Sequence, residues 1–179
     1  MTLGNNATVN ISLTLSTNLT TTSSFTLSLG ANETAAGGGD VIGRVSRGGF
    51  VAGTRYSFGN PDVQIRFDAG DIPSSMSVQL ARSAPSGLAL AAARTYTLTP
   101  TSGSAYSATV RLHYLDSEVG SLVESGLVLW RYTGISWARV GASARDTSAN
   151  WVEQTGVTAF SPWALSDLAS QLFLPLIRR

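Results

Sequence analysis

Short runs in which apolar and polar residues alternate recur along this chain, and between them stand clusters of Gly, Asn and Pro. Met76, Val78 and Leu80 alternate with Ser77, Gln79 and Ala81, and comparable runs cover 40–47, 54–58, 63–67, 95–99 and 105–114. Gly48-Gly49, Gly59-Asn60-Pro61 and 69–73 supply the turns between them. A period of two places successive side chains on opposite faces, so that one face of each strand can be buried. No stretch sustains a helical period. The 84–93 segment reads as a loop or a single helical turn, and 116–124 as a connection with one short helix. Strands spaced roughly 8–12 residues apart, without long helices, give an all-β chain whose expected architecture is an antiparallel β-sandwich.

The stretch from Leu127 to Leu165 holds all four tryptophans, Trp130, Trp137, Trp151 and Trp163. Two alternating runs, 127–132 and 136–140, flank Thr133-Gly134-Ile135, which is a hairpin signal. Further runs follow at 151–154 and 160–165. Large rings on short strands are most simply explained by sheet-on-sheet packing. Trp130, Tyr132, Trp137 and Trp151 have a second use, as a flat face on which sugar rings stack. Core packing is the leading expectation. Leu129 and Arg131 share one face of their strand, and one apolar and one charged residue do not both suit a dry face, so the hairpin is expected at a sheet edge.

Residues 1–39 form a different segment. They are rich in Asn, Thr and Ser, and Glu33 is the first charged side chain. Val9, Ile11, Leu13 and Leu15 alternate with polar residues, and Phe25, Leu27 and Leu29 repeat the pattern. The expectation is two half-buried strands joined by a turn at 20–23, followed by a linker at Ala35–Gly39. The sandwich then occupies 40–168, and 169–179 form an apolar and then basic tail. The run 7–16 has the character of a donated strand, with Val9, Ile11, Leu13 and Leu15 filling a groove. It serves equally well folded back on its own sandwich. Asn-x-Ser/Thr triplets begin at Asn6, Asn10, Asn18 and Asn32, as a segment of this composition produces by chance.

Composition narrows function by exclusion. The chain has no cysteine, so disulfides and thiolate metal sites are ruled out. A net charge of +1 with few charged residues is not a nucleic-acid footprint. All the basic side chains are arginine, which reads as genome bias. No apolar run reaches the ~20 residues of a membrane helix, so no membrane span is expected. His113 is the single histidine, no Gly-x-Ser-x-Gly elbow accompanies it, and Gly37-Gly38-Gly39 lacks the Lys of a phosphate loop. The acids Asp116, Glu118 and Glu124, or Asp62, Asp68 and Asp71, lack the dense spacing of a calcium loop. The expectation is therefore no catalytic residue, cofactor or metal.

Four segments, VQIRFDAGDIPSSMSVQL, RTYTLTPTSGSAYSATVRLHYL, SGLVLWRYTGISWARV and GVTAFSPWALSD, carry a resemblance. They resemble a β-sandwich module of bacterial multidomain secreted and surface proteins, and more loosely the sandwich of netrin receptors and zonula-occludens proteins. The ending Leu172–Arg179 is similar to the C-termini of exported proteins of Chloroflexus-like bacteria. The resemblance implies an extracellular, cell-surface, non-catalytic role as a stalk domain or filament-type subunit. The partners it implies are further copies of the chain or neighbouring domains, and the alternative is an adhesin module that binds polysaccharide. Some relatives of the zonula-occludens-type sandwich cleave themselves at a Phe-Ser bond, so the resemblance also nominates Phe160-Ser161 with His113, as a remote alternative.

Overall fold

The computed structural model describes residues 1–167. Six short strands come first: β1 (Thr2–Leu3), β2 (Ala7–Val9), β3 (Ser12–Thr14), β4 (Leu19–Thr21), β5 (Thr26–Leu29) and β6 (Thr34–Ala36). The longer strands follow: β7 (Val41–Gly48), β8 (Arg55–Ser57), β9 (Gln64–Asp71), β10 (Ser75–Ala81), β11 (Ala91–Thr101) and β12 (Ser104–His113). After a one-turn helix, α1 (Asp116–Val119), come β13 (Leu127–Tyr132), β14 (Trp137–Gly141), β15 (Ala144–Asp146), β16 (Trp151–Val157) and β17 (Pro162–Asp167).

From β7 onward the chain is the expected antiparallel sandwich. One sheet runs β7-β10-β11-β17-β13-β14 and the other β15-β16-β12-β9-β8. The alternation read from the sequence becomes burial: Met76, Val78 and Leu80 face Ile65, Phe67, Val110 and Leu112 across the core. One end of the core is aromatic. Phe50, Tyr56, Phe67, Tyr106 and Phe160 meet there through edge-on, tilted and stacked contacts with centroids 5.0–6.2 Å apart. The proposed hairpin forms as β13–β14, with Tyr132 opposite Trp137, and β14 is the edge strand of its sheet.

The N-terminal segment folds differently from the expectation. The run from Val9 to Leu15 is not one strand: a corner at Asn10-Ile11 divides it into β2 and β3, and Ile11 is 80% exposed. The expected turn at 20–23 is partly strand β4. All the pairings of this segment are parallel: β1 with β4, β2 with β5, β3 with β6, and then both β4 and β5 with β7. Thr2 lies beside Thr20, Ala7 beside Leu27 and Ser12 beside Thr34. The segment is thus two stacked coils of a small parallel solenoid, β1–β3 and β4–β6, with β7 as the strand on which they rest. Alternation survives a solenoid corner, which is why period two alone does not reveal the bend.

Ala35–Gly39 is not a spacer either. Ala35 and Ala36 lie in β6, and a Cβ at Gly37 or Gly39 would stand 2.2 Å from the Leu15 carbonyl oxygen or 2.5 Å from that of Thr17. These glycines let the chain pass tightly under the first coil. Val41 then continues directly into the sandwich sheet. The C-terminal tail lies outside the described residues.

Candidate functional site: the first coil and its free edge

The two coils are tied by hydrogen bonds between equivalent positions. The Thr20, Gly30 and Thr34 amides donate to the carbonyls of Met1, Val9 and Ile11, at 2.8–3.0 Å. Side chains add a second ladder: Asn6 Oδ1 accepts from the Thr26 amide, Asn18 Oδ1 from the Asp40 amide, and Thr21 Oγ1 from the Arg44 amide. Each of these satisfies a backbone donor in the layer that follows. Two of the triplets that composition attributed to chance, those at Asn6 and Asn18, therefore begin with coil-linking residues. The readable signal was their recurrence ahead of the next coil.

The first coil is paired on one side only. Among the described residues β1, β2 and β3 have no partner on the side away from β4–β6. In a strand the N–H and C=O of one residue point to the same side. Val9 and Ile11 point toward the second coil, so Thr8 and Ser12 turn their backbone groups to the free side. Leu3, Ala7 and Val9 pack against the core but are only half-buried. Natural sheet edges are blunted by charge, proline or a bulge. Residues 2–32 contain neither a charged residue nor a proline.

The four tryptophans divide between core and surface. Trp163 is fully buried, opposite Arg131, while Trp130, Trp137 and Trp151 are half-buried. Trp151 lies under Arg111, whose guanidinium carbon is 3.7 Å from the ring centre. Trp137 donates its indole N–H to Ser86 O at 2.9 Å and tilts against Tyr132 with centroids 5.5 Å apart. With Ile135, Ser136 and Pro162 these two rings line a groove of about 450 Å³. Val9, Leu13 and Leu15 lie inside the coil, and the latter two are buried.

Glu118, Asp62, Asp68 and His113 belong to ion-pair networks. Arg94, fully buried on β11, donates to Asp40 and to Glu118 at 2.6 Å each and to the Tyr96 hydroxyl at 2.8 Å. Arg82 reaches Glu118 from outside at 2.7 Å, and His113 Nδ1 is 3.4 Å from Asp40. Burial would raise the Asp40 carboxyl, but hydrogen bonds from His113 and Arg94 and the charge of Arg94 hold it at about 2. Asp40 thus binds the start of β7 to β11 and β12. Asp62 pairs with Arg111 and Asp68 with Arg66, while Asp116 accepts from Asn150. Among the described residues no group of acids and histidine is arranged to hold a metal ion.

Phe160-Ser161 and His113 are not brought together. Along β12, Ala108 pairs with Val157 and His113 with Trp151. That separation of five residues is about 16 Å at strand spacing, and Phe160 stacks on Tyr106, on the far side of Ala108 from His113. The Ser161 hydroxyl donates to Tyr132 O at 2.6 Å. No family model matches this chain, and no curated protein or solved structure shows significant similarity to it.

Proposed function

We propose that this chain is a non-enzymatic structural module of the cell surface, in which the sandwich closes one end of a parallel β-coil stack and the first coil accepts a further coil by strand addition. One observation carries this reading: among the described residues the outer side of β1–β3 is a free parallel edge, and its strands carry no charged side chain and no proline to blunt it. Terminal repeats of solenoids normally carry a polar cap. Here the interior residues Leu3, Ala7 and Val9 remain half-exposed at the open end. Main-chain hydrogen bonds supply affinity in strand addition, and a matching coil interior supplies specificity. The extracellular placement rests on the resemblance to secreted surface modules. The non-enzymatic reading is supported by Asp62, Asp68, Glu118 and His113 being held in structural ion pairs and Asp116 in a hydrogen bond.

Thr8→Pro tests the edge. Its amide faces the free side, so proline removes a donor from the edge while leaving the bonds between the two coils intact. Light scattering is expected to show association of the wild-type chain that Thr8→Pro abolishes, and a labelled peptide of residues 1–18 should bind only the former. A wild-type chain that remains monomeric and takes up no peptide would sink the proposal.

A second reading, polysaccharide binding, is favoured by the Tyr132–Trp137 groove. Quenching of tryptophan emission by neutral oligosaccharides that disappears in Tyr132→Ala would support it.

A further inference from the structure

The free edge of the first coil has a polarity that restricts what can pair with it. Continuing the stack in parallel requires a coil that offers the side following it in sequence. In this chain that side of the second coil is covered: β4 and β5 rest on β7, and β7 pairs onward with β10. A second copy therefore has its own first coil to offer. Two first coils brought face to face about a dyad run antiparallel, and such an interface must be self-complementary.

The first coil meets that condition about Thr8, whose N–H and C=O turn to the free side. Those of Thr2 and Thr14 do the same, because Met1 O accepts from the Thr20 amide and the Leu15 amide donates to Ala36 O on the inner side. A dyad through Thr8 sets Thr2 opposite Thr14, Asn6 opposite Asn10, Leu3 opposite Leu13 and Ala7 opposite Val9. Polar residues thus meet their own kind at the edge, and apolar residues meet inside. The corners obey the same symmetry. Asn5 and Ile11 each stand three residues from Thr8, and both are exposed, outside the coil interior. Alternation alone does not place two corners at equal distances from one centre. Ser28 lies beside Thr8 in the second coil, and about it Thr26 would face Gly30 and Ser23 would face Glu33. The coil whose edge is covered lacks the match.

We propose that the first coil pairs with the first coil of a second copy of this chain, head to head and antiparallel about Thr8, so that association through this edge stops at a dimer. This inference rests on the strand-addition reading and names its partner. The two Thr8 residues exchange backbone hydrogen bonds across the dyad. Leu3, Ala7 and Val9, half-buried in the single chain, are then covered by Leu13, Val9 and Ala7 of the copy.

The chain has no cysteine, so single cysteines report the pairing. Thr2, Thr8 and Thr14 are all exposed, and a cysteine at each leaves the fold intact. A hydrogen-bonded antiparallel pair holds its Cα atoms roughly 5.5 Å apart, within the span of a disulfide. Sedimentation of the full wild-type chain is expected to reach the mass of two chains and to stop there as concentration rises. On oxidation Thr8→Cys should form a covalent dimer by itself. Thr2→Cys and Thr14→Cys should each stay uncrosslinked alone and link to one another when mixed. Species that grow beyond two chains, or Thr2→Cys linking to itself as strands in parallel register would, overturn the head-to-head pairing and leave strand addition standing. So would a dimer in which Thr8→Cys does not link. A wild-type chain that stays monomeric at every concentration would sink both.

Discussion

The charged residues with most influence on stability are those hidden where the coils meet the sandwich. Removing Arg94 would leave Asp40 and Glu118 buried without their shared cation, which costs about 3–5 kcal/mol in such settings. Arg94→Ala is therefore expected to lower the denaturation midpoint far more than Arg55→Ala, whose pair with Glu153 is partly solvated. The pH dependence has a definite sign. Asp40 sits at about 2 when folded against an ordinary 3.8, so its contribution is complete above 3.8 and is lost as pH falls toward 2. Glu33 opposes this. Burial raises its carboxyl despite the nearby Arg47 and Ser57, so the folded state takes up that proton more readily. Protonating Glu33 therefore offsets part of the loss that begins as pH approaches 3.8. Acid unfolding of Asp40→Asn, compared with wild type, should show a lower midpoint throughout and a flatter limb between 3.8 and 2.

Among the elements, the Trp hairpin was legible and the coils were not. Tyr132 opposite Trp137 follows from alternation on both sides of a Gly-containing turn, a local pattern that sequence displays directly. Which ring is core was not legible, because Trp163 lies on an interior strand between β11 and β13 and Trp137 on the edge, and strand order is set by pairings far apart in sequence. Trp163→Ala is accordingly expected to cost about 3–5 kcal/mol, and Trp137→Ala, at a half-buried edge, roughly 1–2 kcal/mol. Chemical denaturation of the two variants checks the order. The coils escaped notice because β1–β6 are two to four residues long and pair in parallel, so no hairpin turn marks them. Gly43 is the element-scale test. Its φ is +115°, and an added Cβ would lie 2.0 Å from Thr21 Oγ1, where β7 bends under the corner of the second coil. Gly43→Ala should destabilise by about 1–3 kcal/mol and speed hydrogen exchange at the Arg44 amide, which Thr21 now holds. Unchanged exchange there would argue against the bend.

At the scale of the whole molecule, the coils and the sandwich form one body. Leu27 and Leu29 of β5 and Leu19 of β4 belong to the same buried cluster as Val45, Val78 and Phe67. The coils also cover the outer edge of β7, which otherwise ends its sheet, and Glu33 receives two hydrogen bonds from the nearly buried Arg47, one on its carboxylate and one on its carbonyl. A chain beginning at Asp40 would lose all three. It would expose apolar Val41 and Val45 along an unpaired edge, and leave both Arg47 and the Ser57 hydroxyl of β8 without the Glu33 carboxylate. Such an edge invites pairing with another molecule. The shortened chain is expected to unfold at lower denaturant and to associate in a concentration-dependent way, as measured by equilibrium denaturation and light scattering. Thr8→Pro, in contrast, should retain the wild-type midpoint while losing association. The two variants therefore separate the two sides of the coil stack: its inner side completes the fold, and its outer side is free to join another molecule. A shortened chain that stays monomeric with an unchanged midpoint would show that the coils contribute nothing to the core they touch.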